Sequence, residues 1–262
     1  MAQFNNLRFS FDGIRGEEFG LYLVNTGEEG KIFGLQRSVG MTEVSYARHS
    51  LESVQTSNPV FKLRLFKASP KLEPEPFTEE ELDRINTWLF SSQEFKPLIC
   101  TDNPDVVYYG MFVAGNLWHN SRGEGYIDLD FQLCTPHAFG TVQKIIKFVN
   151  GTETFEITCN DNVNGYCLPD VEFHLDEGQT SLTIKNNTTN QQMSFFDLNS
   201  ECKDVYVFND GIQFAKSLNN AEINMRQKSN NDFLKLIYGN NKITITGHGV
   251  VIIYVQPRIV IR

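Results

Sequence analysis

Between positions 150 and 241 the chain carries 16 asparagines, and they cluster with Asp and Gly between short segments rich in β-branched and aromatic residues. Asn and Gly tolerate positive φ and close tight turns, so this punctuation cuts the chain into lengths too short for helices. The segments Thr154 to Thr158, Val171 to Leu175, Ser181 to Ile184, Met193 to Phe196, Asp204 to Phe208, Phe233 to Ile237, Lys242 to Thr246 and Val250 to Val255 read as strands. Their spacing of about 8 to 12 residues is that of a β-sandwich or jelly roll. Asn240-Asn241 and Gly247-His248-Gly249 read as turns between them.

The region before Gly140 is also mostly strand: Arg8 to Phe11, Leu21 to Asn25, Phe61 to Lys67, Val106 to Val113 and Tyr126 to Cys134. In the last, Tyr126, Asp128 and Asp130 alternate with Ile127, Leu129 and Phe131, which predicts one buried face and one acidic solvent face. A single helix interrupts this pattern after the Pro-rich stretch from Pro70 to Pro76. Thr78 and Glu81 have the spacing of a capping box, Phe77 and Leu82 that of a hydrophobic staple, and Glu79, Glu80 and Glu81 complement the helix dipole. Leu82, Ile85, Trp88 and Leu89 recur at helical spacing and predict an apolar face packed on a sheet, with Trp88 in the core. The expected fold class is therefore mainly β in two domains. Residues 1–140 form a β-sandwich-like domain with one amphipathic α-helix, and residues 141–262 form a second β-sandwich.

Charge narrows function. The 262 residues hold 23 Lys and Arg against 32 Asp and Glu, a formal charge of -9, the wrong sign for a chain that must neutralise phosphates. Sequence-specific nucleic-acid binding is not expected. The excess divides as -7 before Gly140 and -2 after it. The longest apolar run, Val250 to Val255, is far short of the roughly 20 residues that cross a bilayer, so no membrane insertion is expected. The N-terminus has no basic start or apolar stretch of a signal peptide, and the five cysteines form no Cys-x-x-Cys pair. A reducing cytoplasm during folding is the simpler expectation.

The motifs of chemistry are missing. Asn160-Asp161-Asn162-Val163-Asn164-Gly165 begins like a calcium loop but has Val171 where a bidentate Glu must close it, so it reads as an Asn-rich turn. His49, His119, His137, His174 and His248 are scattered, and no Gly-x-Ser-x-Gly or phosphate loop is complete, since Asn116 stands where a Lys is needed. No catalytic residue, metal or cofactor is expected, and the chain does not read as an enzyme. One stretch, Trp118-His119-Asn120-Ser121-Arg122, joins an aromatic face to polar side chains, a combination that can hold sugars. Followed by Gly123-Glu124-Gly125, it reads as a hairpin tip. Trp118, His119, Asn120 and Arg122 are thus candidate exposed loop contacts, and a carbohydrate-binding module is the alternative function.

Taken in order, Phe9-Ser10-Phe11-Asp12-Gly13, Phe19-Gly20-Leu21, the helix ending in Trp88-Leu89, Pro104 to Gly110 and Phe131 to Pro136 resemble the N-terminal domain of the siphophage distal tail protein (Dit) family. Leu168 to Val171, Leu182 to Asn186 and Tyr238 to Ile245 are similar to that family's galectin-like C-terminal domain. The resemblance implies a structural protein whose six copies form a hexameric ring hub at the tip of a long non-contractile tail, leaving a channel for DNA. It also implies partners: self, the tail tube protein, a tail-associated lysin or tail fibre protein, and in several phages receptor-binding proteins on the C-terminal domain. Localisation would be the virion tail tip, after assembly in the host cytoplasm. Asp128 and Asp130 would be candidate channel-facing residues, repelling DNA from the wall. The chain departs from the family between Ile32 and Ser50, where Gly34 to Gly40 replaces a Gly-Arg-Asp-Gly-like turn, and the absence of Trp after Gly140 disfavours sugar stacking there.

Overall fold

The computed structural model describes residues 8–24, 37–42, 50–163, 165–209 and 213–261. The chain divides into two units, Met1–Phe139 with Ile259–Arg262, and Gly140–Arg258. Among the described residues the molecule is mainly β with one α-helix, the expected class.

The first unit contains β1 (Phe9–Phe11), β2 (Ile14–Arg15), β3 (Leu21–Val24), β4 (Arg37–Thr42), β5 (Ser50–Thr56), β6 (Val60–Lys67), α1 (Glu79–Phe90), β7 (Lys96–Cys100), β8 (Val106–His119), β9 (Gly125–Leu133) and β10 (Ala138–Gly140). Its antiparallel sheet runs β2-β1-β7-β8-β9-β6-β3, while β4 and β5 form a separate two-stranded sheet among the described residues. Of the divergent stretch 34–40, positions 34–36 lie outside the described residues and 37–40 belong to β4. Alternation places Phe61, Leu63 and Leu65 of β6 and Ile127, Leu129, Phe131 and Leu133 of β9 in one apolar core. Ile85 and Leu89 bury the helix face against that core, with Leu82 and Trp88 beside them. Trp88 stacks on Phe19 at 4.6 Å and donates its indole N–H to Phe11 O at 3.2 Å, which satisfies the one polar atom of a large apolar ring. The helix starts where the capping box predicts: Glu81 N donates to Thr78 Oγ1 at 3.3 Å, and Thr78 N donates to Glu81 Oε2 at 2.9 Å.

The second unit contains β11 (Gln143–Cys159), β12 (Asp170–Leu175), β13 (Leu182–Asn186), β14 (Gln191–Phe195), β15 (Asp204–Phe208), β16 (Phe214–Ser217) and β17 (Gly239–Val255); β18 (Arg258–Ile259) follows. β17 pairs with β11 along its whole length, while its other edge pairs first with β13 and then with β12. The sheet folds over at this hand-off, and Phe173 of β12 meets Phe195 of β14 at 5.0 Å across the core. Such closure buries the inward residues of both halves in one cluster.

Two local expectations are corrected. Gly247-His248-Gly249 is not a turn: it lies inside the continuous β17, at the point where the strand changes partners. Gly247 and Gly249 have φ of 152° and 141°, and a Cβ on Gly249 would lie 2.1 Å from His174 O. Glycine is needed there for close backbone approach rather than for chain reversal. Likewise Phe233 to Ile237 is not a regular strand, and only Leu236 bridges to Cys167. Side chains take the ladder's place. Gln191 Nε2 donates to Phe233 O, Lys235 N donates to Gln191 Oε1 at 2.8 Å, and Asn186 Nδ2 donates to Lys235 O at 2.8 Å. The buried Asn241 accepts from Ile237 N at 2.9 Å and donates back to Ile237 O at 2.8 Å, so side chains hold the backbone of Phe233, Lys235 and Ile237 without a partner strand.

Candidate functional site

In the first unit, the side of β6, β9 and β8 opposite the core carries charge. The register sets Arg64 opposite Asp128 and Lys62 opposite Asp130, with Asn116 and Ala114 on the far side of the two aspartates. Arg64 grips Asp128 with two bonds, Nε to Oδ1 at 2.5 Å and Nη2 to Oδ2 at 2.9 Å, and its guanidinium lies 4.1 Å from the centre of the Tyr126 ring. Lys62 Nζ donates to both oxygens of Asp130, at 2.6 and 2.7 Å. These pairs floor a depression of about 250 Å³ lined also by Val24, Asn116 and Ala114. The face expected to be acidic is therefore a ladder of compensated ion pairs, because β6 presents a cation at each register position where β9 presents an anion. The cations were visible in the alternation Lys62-Leu63-Arg64-Leu65; that they meet the aspartates depends on strand register.

Trp118 and His119 end β8, and Asn120 and Arg122 lie in the turn that leads to β9. Trp118 is 55% exposed and stands opposite Tyr126. Asn120 is occupied with the turn itself: its Oδ1 accepts from Arg122 N at 2.8 Å and Glu124 N at 3.2 Å, and its Nδ2 donates to Glu124 Oε2 at 2.9 Å. His119 Nδ1 lies 3.1 Å from Asn120 O. The turn is tied to the start of the helix, since Phe77 N donates to Gly123 O at 2.9 Å. The aromatic ring and the exposed Arg122 are thus presented on a stiff hairpin, while the Asn120 amide is committed to holding it.

The outward face of the second unit contains a network that the sequence patterns do not reveal. Pairing brings Glu172 and His174 of β12 beside Asp204 and Tyr206 of β15 and Ile252 and Tyr254 of β17. His174 stands between two carboxylates, Nε2 2.9 Å from Glu172 Oε1 and Nδ1 3.1 Å from Asp204 Oδ1. Tyr254 donates to Glu172 Oε2 at 2.9 Å, and Tyr206 donates to Asp170 Oδ2 at 3.0 Å. Burial, and then these carboxylate partners, hold both phenols above the usual tyrosine range. Alternation within Val171 to Leu175 already put Glu172 and His174 on one face; Asp204 and Tyr254 arrive only through strand pairing. Alongside, β11 exposes Ile146 at 48% and Phe148 at 77%, and its outer edge has no partner strand among the described residues. Apolar side chains on a long open edge suit a contact surface.

Among the described residues no group of three His, Cys, Asp or Glu could hold a metal ion, and no helix is long and apolar enough to cross a membrane. The polar groups of both faces are engaged with one another.

Residues 4–134 match the family described as phage tail protein N-terminal domain. The chain belongs to this family. Among solved structures, it is similar over 95% of its length to the Dit protein of phage SPP1, described as a paradigm of the hub adsorption apparatus of phages that infect Gram-positive bacteria. That match covers 98% of the SPP1 chain with a TM-score of 0.61 at 13% identity. A chain of the phage P2 baseplate, in its activated conformation with calcium, matches over 95% of this chain and 97% of its own with a TM-score of 0.54 at 7% identity. No curated protein sequence matches. At these identities the likeness is one of fold, and at 95% coverage it extends over both units of this phage tail protein.

Proposed function

We propose that this chain is the distal tail protein of a long-tailed, non-contractile phage, forming a hexameric ring that joins the tail tube to the tail tip. Residues 1–140 form the ring around a DNA channel and contact the tail tube protein on one side and the tail-associated lysin or tail fibre protein on the other. The galectin-like second domain points outward and offers its open β11 edge and exposed Phe148 to receptor-binding or baseplate proteins. The virion tail tip is its site of action, reached after assembly in the host cytoplasm. The observation that carries this reading is the near full-length match to the SPP1 hub protein through both units.

The proposed channel wall is the strand bearing Asp128 and Asp130. Lys62 and Arg64 already bind those carboxylates, so a passing phosphate meets engaged cations, and the -7 carried by residues 1–140 adds a general repulsion. Closed rings require heterologous contacts between unlike surfaces of one protomer, which open strand edges supply.

Light scattering on the purified chain across a dilution series, alone and with the tail tube protein, tests the ring. The expected species has six times the protomer mass of 29.9 kDa. A single-protomer mass under both conditions rejects it. Saccharide binding that is lost in Trp118→Ala would instead favour the carbohydrate-binding module.

A further inference from the structure

The open edge of β11 carries its charges in a symmetric order. The strand runs for 17 residues, about three times the usual length, and its outer edge has no partner strand among the described residues. Its charged side chains are Lys144, Lys147, Glu153 and Glu156. Lys147 and Glu153 each stand three positions from Asn150, on opposite sides of it, and Lys144 and Glu156 each stand six. Lys147 Nζ reaches Glu153 Oε1 at 3.2 Å around the corner at Gly151. Lys144 and Glu156 are exposed and have no ionic partner among the described residues, although Glu156 faces Lys242 in the register and Lys144 Nζ lies 5.5 Å from the centre of the Tyr254 ring. Natural sheets guard a long edge with charges that repel another edge. Here one arm of the strand is positive and the other negative, an order that attracts a reversed copy of itself.

We propose that in the free chain the β11 edge is covered by the β11 of a second copy, paired antiparallel about a two-fold axis at Asn150. In that register Lys144 faces the partner's Glu156 and Lys147 faces the partner's Glu153, and symmetry repeats both pairs. Opposite charges directly across a ladder stabilise it and like charges oppose it, so this register is selected. A slide of three positions either way retains only one of the two kinds of pair, and every other register retains neither. Because Lys147 already meets Glu153 within its own chain, the two copies close an alternating square of charge at the axis. Phe148, the most exposed large apolar side chain among the described residues, comes to lie opposite the partner's Thr152, and Ile146 opposite the partner's Thr154. A two-fold axis perpendicular to the sheet preserves its faces, so the corner at Gly151 bends both copies the same way. The self-pair closes an edge that would otherwise recruit any extended segment, and it gives way to the receptor-binding or baseplate proteins proposed above.

Two full-length variants test the pairing, one carrying Lys144→Glu with Lys147→Glu and the other Glu153→Lys with Glu156→Lys. Each has an edge of a single sign that repels its own copy, while a mixture of the two restores every ion pair. By light scattering at equal concentration, the wild type should have at least twice the mass of either variant alone, and the equimolar mixture should recover the wild-type mass. Variants that keep the wild-type mass, or a mixture that stays at the mass of the variants, overturn the pairing. Whether the variants themselves are single protomers or rings of six is read separately, so the pairing can fail while the ring stands, and the reverse. Where a variant does not fold, the wild-type chain decides: isotope-labelled and unlabelled protein are mixed, allowed to exchange, and coupled with a carbodiimide, which joins an amine to a carboxylate in direct contact. A Lys144–Glu156 link between one labelled and one unlabelled peptide is the expected product, and its absence overturns the pairing.

Discussion

Two glycines separate space from conformation at the residue scale. Gly151 and Gly247 face each other across β11 and β17 where the sheet turns its corner, and Gly249 lies two residues on. Gly151 has φ of 93° with nothing within 4 Å of the place a Cβ would occupy, whereas Gly249 combines φ of 141° with His174 O at 2.1 Å. Gly151→Ala should therefore cost about 1–2 kcal/mol from backbone strain alone. Gly249→Ala adds a clash with backbone and should cost more, with the difference read from the denaturant midpoint of the second unit. Equal midpoints for the two variants would mean that the corner yields. Asn241 belongs to the same scale. Its position in an Asn-Asn pair predicted a turn, yet Asn240 and Asn241 lie in β17 opposite Thr158 and Ile157, and the buried Asn241 amide instead holds the preceding segment through Ile237.

The helix shows how far a local signal reaches at the element scale. Capping box, acidic first turn and apolar face were all legible, because each depends on residues within four positions of one another. Hidden from that window is Lys67 of β6, nearly buried, whose ammonium donates to Glu81 at 2.6 and 2.7 Å and to Pro76 O at 2.7 Å. One carboxylate thus caps the helix and anchors it to the sheet. Burial opposes its charge, yet Lys67 and the Thr78 N–H and hydroxyl hold Glu81 below the usual carboxylate range. A group lowered in the folded state contributes stability above its unfolded pKa and loses it as pH falls through the folded value. The stability of the first unit should accordingly drop between about pH 5 and 3, and Glu81→Gln should flatten that drop while lowering stability at neutral pH. An unchanged pH profile in the variant would refute the coupling. Thr78→Ala should cost about 1 kcal/mol in the same assay.

For the whole molecule, the two units do not follow the order of the chain. The expected second domain ran to residue 262, but Ile259–Arg262 group with the first unit. Ile261 is 2% exposed among Phe9, Phe11 and their neighbours in that unit's core cluster. Ile261→Ala should cost about 3 kcal/mol, and hydrogen exchange should report the loss in β1, β7 and β8 rather than in β12 to β17. Loss of protection confined to the second unit would contradict this assignment. The consequence for folding is that residues following the second unit in the chain complete the first core.

Strand alternation, turn chemistry, the capped helix and the mainly β class were all written in the order of the amino acids, and the succession of fragments already resembled a tail protein. Each of those is a short-range pattern, carried by the period of 2 or 3.6 with which side chains leave the backbone. What the faces carry was fixed only by packing: Asp128 and Asp130 are met by Arg64 and Lys62, and His174 stands between Glu172 and Asp204. These pairs join positions up to 68 residues apart. Register chooses them, and register is set by burying the apolar face of every strand at once, a condition no local window contains.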